Sequence, residues 1–245
     1  MNERFIDRPM LLPSLILGIA LIGGLWILGV GIASRGSDST ITVTGSTSQD
    51  VKADTATWRI ELRRMAFAGG TAATYAQIAR DGEAVQNYFA AQNLASSTIT
   101  ASVISTDENY KQNQNDPTTY NVREIVTIQT TDVEKVDQFS RSLGEVTTKV
   151  SSGTLVSPQQ PEYYVSSLPA LRVSLIGKAI QDAKARAIEI AKSGGSSVGA
   201  LKSASSGVVQ VLAPNSTNVE DYGSYDTSTI QKQVMVTARA TFYVR

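Results

Sequence analysis

Between Pro9 and Ser34 the chain carries no charged residue, and the run LLPSLILGIALIGGLWILGVGIA (Leu11–Ala33) is apolar almost throughout. About 20 apolar residues cross a bilayer as a helix, while the apolar part of a cleaved leader is usually about 7–15 residues long. Length therefore favours an uncleaved transmembrane anchor over residues 10–34. Gly31-Ile32-Ala33 before Ser34 has the small-x-small form of a cleavage site, which keeps the signal peptide as the alternative. Arg4 and Arg8 precede the run, and orientation follows Lys and Arg far more than acids. Residues 1–9 are thus expected in the cytoplasm, and the bulk of the chain is expected beyond the inner membrane, periplasmic or extracellular.

What remains after a Gly/Ser/Asp linker at 35–39 is one stretch, 40–245, with no composition shift to divide it. The full chain holds 245 residues, 22 basic and 22 acidic, with no His and no Cys. Zero formal net charge argues against nucleic acid as a partner, which calls for a basic face. The missing His and Cys exclude Cys/His zinc sites, Ser-His-Asp and Cys-His pairs, and thiol redox centres. No catalytic residue, cofactor or metal ligand is assigned.

Alternation of apolar and polar residues marks strands. In TITVTGS, Ile41, Val43 and Gly45 share a face; in TATWRIELRR, so do Ala56, Trp58, Ile60 and Leu62. STITASVIST and TYNVREIVTIQT read as two more strands, with 108–119 as an exposed polar connection. A short strand is expected near Gly153–Val156, and GVVQVL and QVMVTARATFYVR close the chain. Three stretches carry helical periodicity. The first has Tyr75, Ile78, Val85 and Phe89 on one stripe with Gly82 as a weak point. The second has Val133, Val136, Phe139, Leu143 and Val146, opened by a Thr131/Glu134 capping box. The third, from about Pro169 to Ser193, repeats Leu171, Leu175, Ala179, Ala183, Ala187 and Ala191 every four residues. The fold class expected is α+β: a mostly antiparallel sheet with about three helices packed on one face, preceded by the transmembrane helix.

The stretch ARAIEIAKSGGSSVGAL has the glycine and serine content of a phosphate loop but the wrong order, because such loops precede a helix. Gly194 or Gly195 is instead placed to end the third helix in a left-handed turn. Paired carboxylates, Asp107-Glu108 and Glu220-Asp221, are candidates for hydrolytic chemistry, and Glu220, Asp221 and Asp226 for a cation site. Neither has a supporting motif. Tyr163, Tyr164, Tyr222 and Tyr225 stand in two long loops, 158–168 and 213–229, as candidate interface residues, aromatics being enriched at interfaces. The same tyrosines would otherwise fold back over the sheet edges. Asn215-Ser216-Thr217 matches a glycosylation sequon and is read as incidental.

Taken in order, ITVTGS, DTATWRIEL, STITASVIST, YNVREIVTIQTTDVEKV and KAIQDAKARAIEIAKSGGSSVGAL resemble the SIMPL domain (DUF541) family of periplasmic 26-kDa-antigen-like proteins over 40–245. VKADTA departs from the Pro-Asp pair of many relatives, which often carry a cleaved leader rather than an anchor. The resemblance implies an extracytoplasmic α+β domain without established catalytic residues, in a bacterial envelope, and members that assemble into large ring- or channel-like homo-oligomers. Long Thr-rich strands, an exposed terminal strand and polar-aromatic loops are compatible with such assembly. The expectation is a non-enzymatic membrane-anchored envelope protein that self-assembles into a ring or cage. The alternative is a periplasmic module that binds a ligand or partner through 158–168 and 213–229.

Overall fold

The two most regular alternations in the sequence become two long adjacent strands that leave each other at Ala53-Asp54 and enter different sheets. These are β1 (Thr40–Lys52) and β2 (Thr55–Phe67). The computed structural model describes residues 11–33, 39–95, 97–111, 113, 115–216 and 222–245, with side chains of the first helix described over 14–28. The elements after β2 are α2 (Thr71–Ala90), β3 (Thr98–Ala101), β4 (Ser105–Glu108), β5 (Thr119–Thr130), α3 (Val133–Arg141) and α4 (Gly144–Thr147). Then come β6 (Leu155–Pro158), β7 (Glu162–Tyr164), α5 (Leu168–Ser193), β8 (Val198–Leu212) and β9 (Gln231–Val244).

Preceding them all, α1 covers Leu11–Ala33. Among the described residues, which include the side chains of α1 only over 14–28, no helix is long and apolar enough to cross a membrane. The side chains at both ends of the expected span and most of the 35–39 linker lie outside the described residues, as do residues 1–9.

One sheet with helices on one face was expected; there are two. The first has the order β1-β9-β8, and the second runs β3-β5-β2-β6, with β4 also on β5 and β7 also on β2. Every strand pair is antiparallel. STITASVIST is not one strand, because it breaks at 102–104 into β3 and β4, which follow one another along β5. Ser102 spans the break, its N–H donating to the Ile125 carbonyl while its Oγ accepts from the Ile125 N–H. A polarity pattern reports which face is buried, but it does not say which strand is the neighbour, so the division into two sheets left no trace in it.

Each sheet has its own cover. Under α5 lie Val43, Ala240 and Phe242 at one end and Val211, Val234 and Val236 at the other. The expected stripe is present from its second residue on: Leu175, Ala179, Ala183, Ala187 and Ala191 are the buried residues of α5, and Leu171 is partly buried. The ridge is low enough for β1 to touch the helix backbone. A Cβ on Gly45 would stand 2.1 Å from the Ala179 carbonyl oxygen and 2.4 Å from the Ala183 nitrogen. Gly195, at φ +73°, supplies the left-handed residue that ends α5, and the Ser196 N–H donates back to the Ala191 carbonyl at 2.8 Å.

The larger core lies on the other sheet, where Trp58, Ile60 and Leu62 of β2 and Val122, Val126 and Ile128 of β5 meet Ile78, Val85 and Phe89 of α2. Trp58, Tyr88 and Phe139 each meet Phe89 edge-to-face at 5.0–5.9 Å. Tyr75 is off this stripe and exposed, because Thr74, Asp81 and Gly82 take the buried positions. The helix expected from 131 to 146 is two, α3 and α4, with Val133, Val136 and Val146 still turned inward. Its capping box does not form. Thr131 Oγ1 donates to the Ala95 carbonyl, and Glu134 pairs with Lys52.

Candidate functional site

Two loops flagged in the sequence, 158–168 and 213–229, converge at the end of the molecule where β1 passes into β2. The Tyr163 N–H donates to the Thr227 carbonyl, the Ala53 N–H to the Ile230 carbonyl, and the Asp54 N–H to the Tyr164 carbonyl, all at 2.8–2.9 Å. Part of the first loop is thereby ordered as β7 on β2. Asp54 fixes its far side, accepting from the Ser166 N–H at 2.8 Å and the Ser166 hydroxyl at 2.7 Å. Burial raises the Asp54 pKa, but these hydrogen bonds outweigh it and hold the carboxyl below its ordinary value.

The four candidate tyrosines do different things. Tyr163, a candidate either for an interface or for folding back over a sheet edge, is 3 % exposed. Its hydroxyl donates to Asp137 at 3.4 Å, and Asp137 also takes a two-pronged contact from Arg141. Burial first, then the Asp137 charge, pushes the Tyr163 hydroxyl up to about 12, so it stays protonated and serves as a donor. Tyr164 and Tyr225 pack ring against ring at a tilt of 38°, their centres 5.8 Å apart. The Tyr225 hydroxyl accepts from the Val165 N–H at 2.9 Å, tying the second loop to the first. Tyr222 alone projects freely, at 97 % exposure.

A lysine that the sequence reading passed over sits at the root of the second loop. Lys232 belongs to the inward row of β9 that continues through Val234 and Val236, and its side chain is fully buried. Its ammonium donates to the Asp226 main-chain carbonyl, lies 3.8 Å from the Asp226 carboxylate and sits 5.7 Å from the centre of the Tyr225 ring. Desolvation lowers its pKa, against the pull of Asp226. Asp226 is further engaged by the N–H and hydroxyl of Ser228 and by the Thr229 hydroxyl. It was considered as a cation ligand; here its oxygens are occupied by donors. The register of β9 was the available signal for Lys232, since a lysine in a buried row needs a partner.

Three open hollows surround this knot, of about 340, 400 and 270 Å³, two of them sharing Pro214 and Gln231. Their walls mix polar and apolar side chains. Among the described residues no cluster of three or more acidic groups could hold a metal ion. Of the carboxylate pairs, Asp107 and Glu108 lie on β4 rather than in a loop, both exposed, with Asp107 bound to Arg123 at 3.0 Å. Glu220 and Asp221 lie outside the described residues, as does Thr217 of the sequon. The arrangement offers hydrogen-bond donors, a pinned loop and one exposed aromatic, Tyr222.

The family model of SIMPL, described as a protein of unknown function (DUF541), matches residues 41–242. The chain belongs to the SIMPL family. No curated protein matches it. The SIMPL match spans both sheets and both covering helices, from the second residue of β1 to Phe242 in β9.

Proposed function

We propose that this SIMPL protein is a non-enzymatic, membrane-anchored envelope protein whose outer domain assembles with copies of itself into a ring or cage. The observation that carries this reading is strand β8. It is an outer strand of the three-stranded sheet, and α5 covers β1 and β9 while residues 200–206 of β8 are exposed. A long exposed outer strand invites pairing with another chain unless something blunts it, and assemblies of identical chains mostly close symmetrically. The terminal strand β9, expected as the exposed element, is the central strand instead, so the assembly surface moves to β8.

The uncharged run from Pro9 to Ser34 and the 23-residue helical backbone of α1 support the anchor. A helix of that length rises roughly 35 Å, against about 30 Å of bilayer hydrocarbon. Residues 1–9 would lie in the cytoplasm, with one such helix beneath each subunit. Native mass spectrometry or electron microscopy of the detergent-extracted full chain tests this reading. A monomer across physiological concentrations overturns it. Leu201→Glu, on the exposed part of β8, is expected to break the assembly without lowering thermal stability.

A second reading, a periplasmic module that captures a ligand or protein partner through 158–168 and 213–229, draws on the three open hollows and exposed Tyr222. Because Tyr163 is a core residue, the test narrows to Tyr222→Ala. Loss of capture at unchanged oligomer size supports binding, whereas dissociation of the oligomer assigns the loop to assembly.

A further inference from the structure

One carboxylate lies in the wrong place for a surface acid. Glu124 occupies the inward row of β5 between Val122 and Val126 and is only 7 % exposed. Opposite it across the strand pair is Leu62. Above it is Gly82 of α2, where a Cβ would stand 1.9 Å from Glu124 Oε2 and 2.8 Å from its Cδ. Any side chain at 82 would have to displace the carboxyl group, so glycine lets α2 seat directly on it. Oε2 is buried and accepts no hydrogen bond from the protein.

The charged groups nearby do not neutralise it. Asp81, beside Gly82 on α2, is buried, and its oxygens are taken by Ser151, Thr154 and Gln77. Arg64, on the same face of β2, donates to the Ser152 carbonyl and to Thr154 Oγ1. Arg63, Glu61 and Arg123 alternate to the opposite face, β4 brings only Asp107, already paired with Arg123, and exposed Glu108, and β6 brings no charged residue. A buried carboxylate oxygen without a donor, and with no counter-charge beside it, is costly, and the usual relief is to keep the proton.

We propose that Glu124 and Gly82 form a proton-binding seat for α2, closed when the carboxyl is protonated and loosened when it ionises. Desolvation acts in the matching direction and raises the Glu124 pKa. A raised folded-state value means that the folded chain holds a proton the unfolded chain has lost. The seat is therefore fully stabilising below the unfolded carboxyl pKa, and that stability is lost as pH rises through the folded value. Each pH unit within that window lowers the folding constant by up to about tenfold. No such loss occurs with glutamine, an uncharged isostere.

The test is thermal unfolding of the full chain in detergent, wild type against Glu124→Gln, from acid to neutral pH, with amide exchange followed by mass spectrometry. The two proteins are expected to melt together near pH 4, with Glu124→Gln melting higher by several degrees at neutral pH. Exchange in 71–90 should rise with pH in the wild type after correction for the intrinsic rate, while 168–193 stays level. A gap that does not change with pH, or a less stable Glu124→Gln protein at neutral pH, overturns the proposal. Gly82→Ala provides an independent check of the contact. It should destabilise the wild type and be largely tolerated beside Glu124→Ala, and simple additivity of the two changes overturns the seat.

Discussion

Helix α5 meets its sheet through four alanines and a leucine, close enough that β1 must have glycine at 45. Helix α2 meets its own sheet through Ile78, Val85 and Phe89, interlocked with Trp58 and interrupted by Asp81 and Gly82. Both are amphipathic helices on antiparallel strands, yet their energetics differ. The α2 layer depends on side-chain volume, so removing atoms should damage it. The α5 layer depends on backbone proximity, so adding atoms should damage it. Each helix also carries one acid tie: Asp81 holds the 151–154 turn, and Asp182 accepts from the Ser46 N–H of β1 at 2.9 Å.

The largest effect expected is in the α2 layer. Trp58→Ala removes a 1 % exposed ring, together with its edge-on contact to Phe89 and its hydrogen bond to the Gln159 carbonyl at 2.9 Å. A loss of about 3–5 kcal/mol is expected in denaturant unfolding. In the α5 layer the equivalent damage takes a single methyl group. Gly45→Ala places its Cβ against helix backbone that cannot rotate away, for a cost of about 3 kcal/mol, with Ala183→Leu and Ala187→Leu at about 1–3 kcal/mol. If Gly45→Ala and both leucine variants unfold like the wild type, α5 does not lie on its alanine face and the comparison collapses.

The alanine ridge, the inward rows of β1, β2 and β9, and the glycine stop of α5 were legible because each is a local period or a local backbone requirement. The pairing of strands was not. Neither were the buried polar residues, whose meaning depends on what lies across the gap. Glu124 and Lys232 each stand in an otherwise apolar row of alternating residues, which marks them as buried. Nothing in their own strands indicates that one faces Gly82 without a donor while the other reaches the Asp226 carbonyl. The loop tyrosines show the same limit: Tyr163 and Tyr164 are neighbours in sequence, and only the antiparallel run of β7 along β2 sends the first inward.

Asp81 sharpens the contrast through pH. Burial raises its pKa, but donors from Thr154 and Ser151 outweigh burial and leave it below its ordinary value. Its contribution is therefore present above the unfolded carboxyl pKa and lost as pH falls through the folded one, opposite in sign to that of Glu124. Asp81→Asn is expected to cost about 2 kcal/mol at neutral pH. The gap to wild type should narrow on acidification, as measured by melting temperature.

The acid tie of α5 should matter least. Asp182 is half-buried and meets Arg186 at 2.8 Å one turn along the helix, in the favourable acid-first order, with the arginine more than half exposed. Such a pair contributes only about 0.3–0.5 kcal/mol, and screening by salt reduces it further. Arg186→Ala is therefore expected to change denaturant stability by less than half a kcal/mol at moderate salt. Asp182→Ala also removes the acceptor for the Ser46 N–H and should cost about 1 kcal/mol. Equal effects from the two substitutions would mean that the ion pair, and not the bond to β1, is what Asp182 provides. Two clearly unequal effects place the tie where the α5 layer needs it, between helix and strand backbones already held in contact at Gly45.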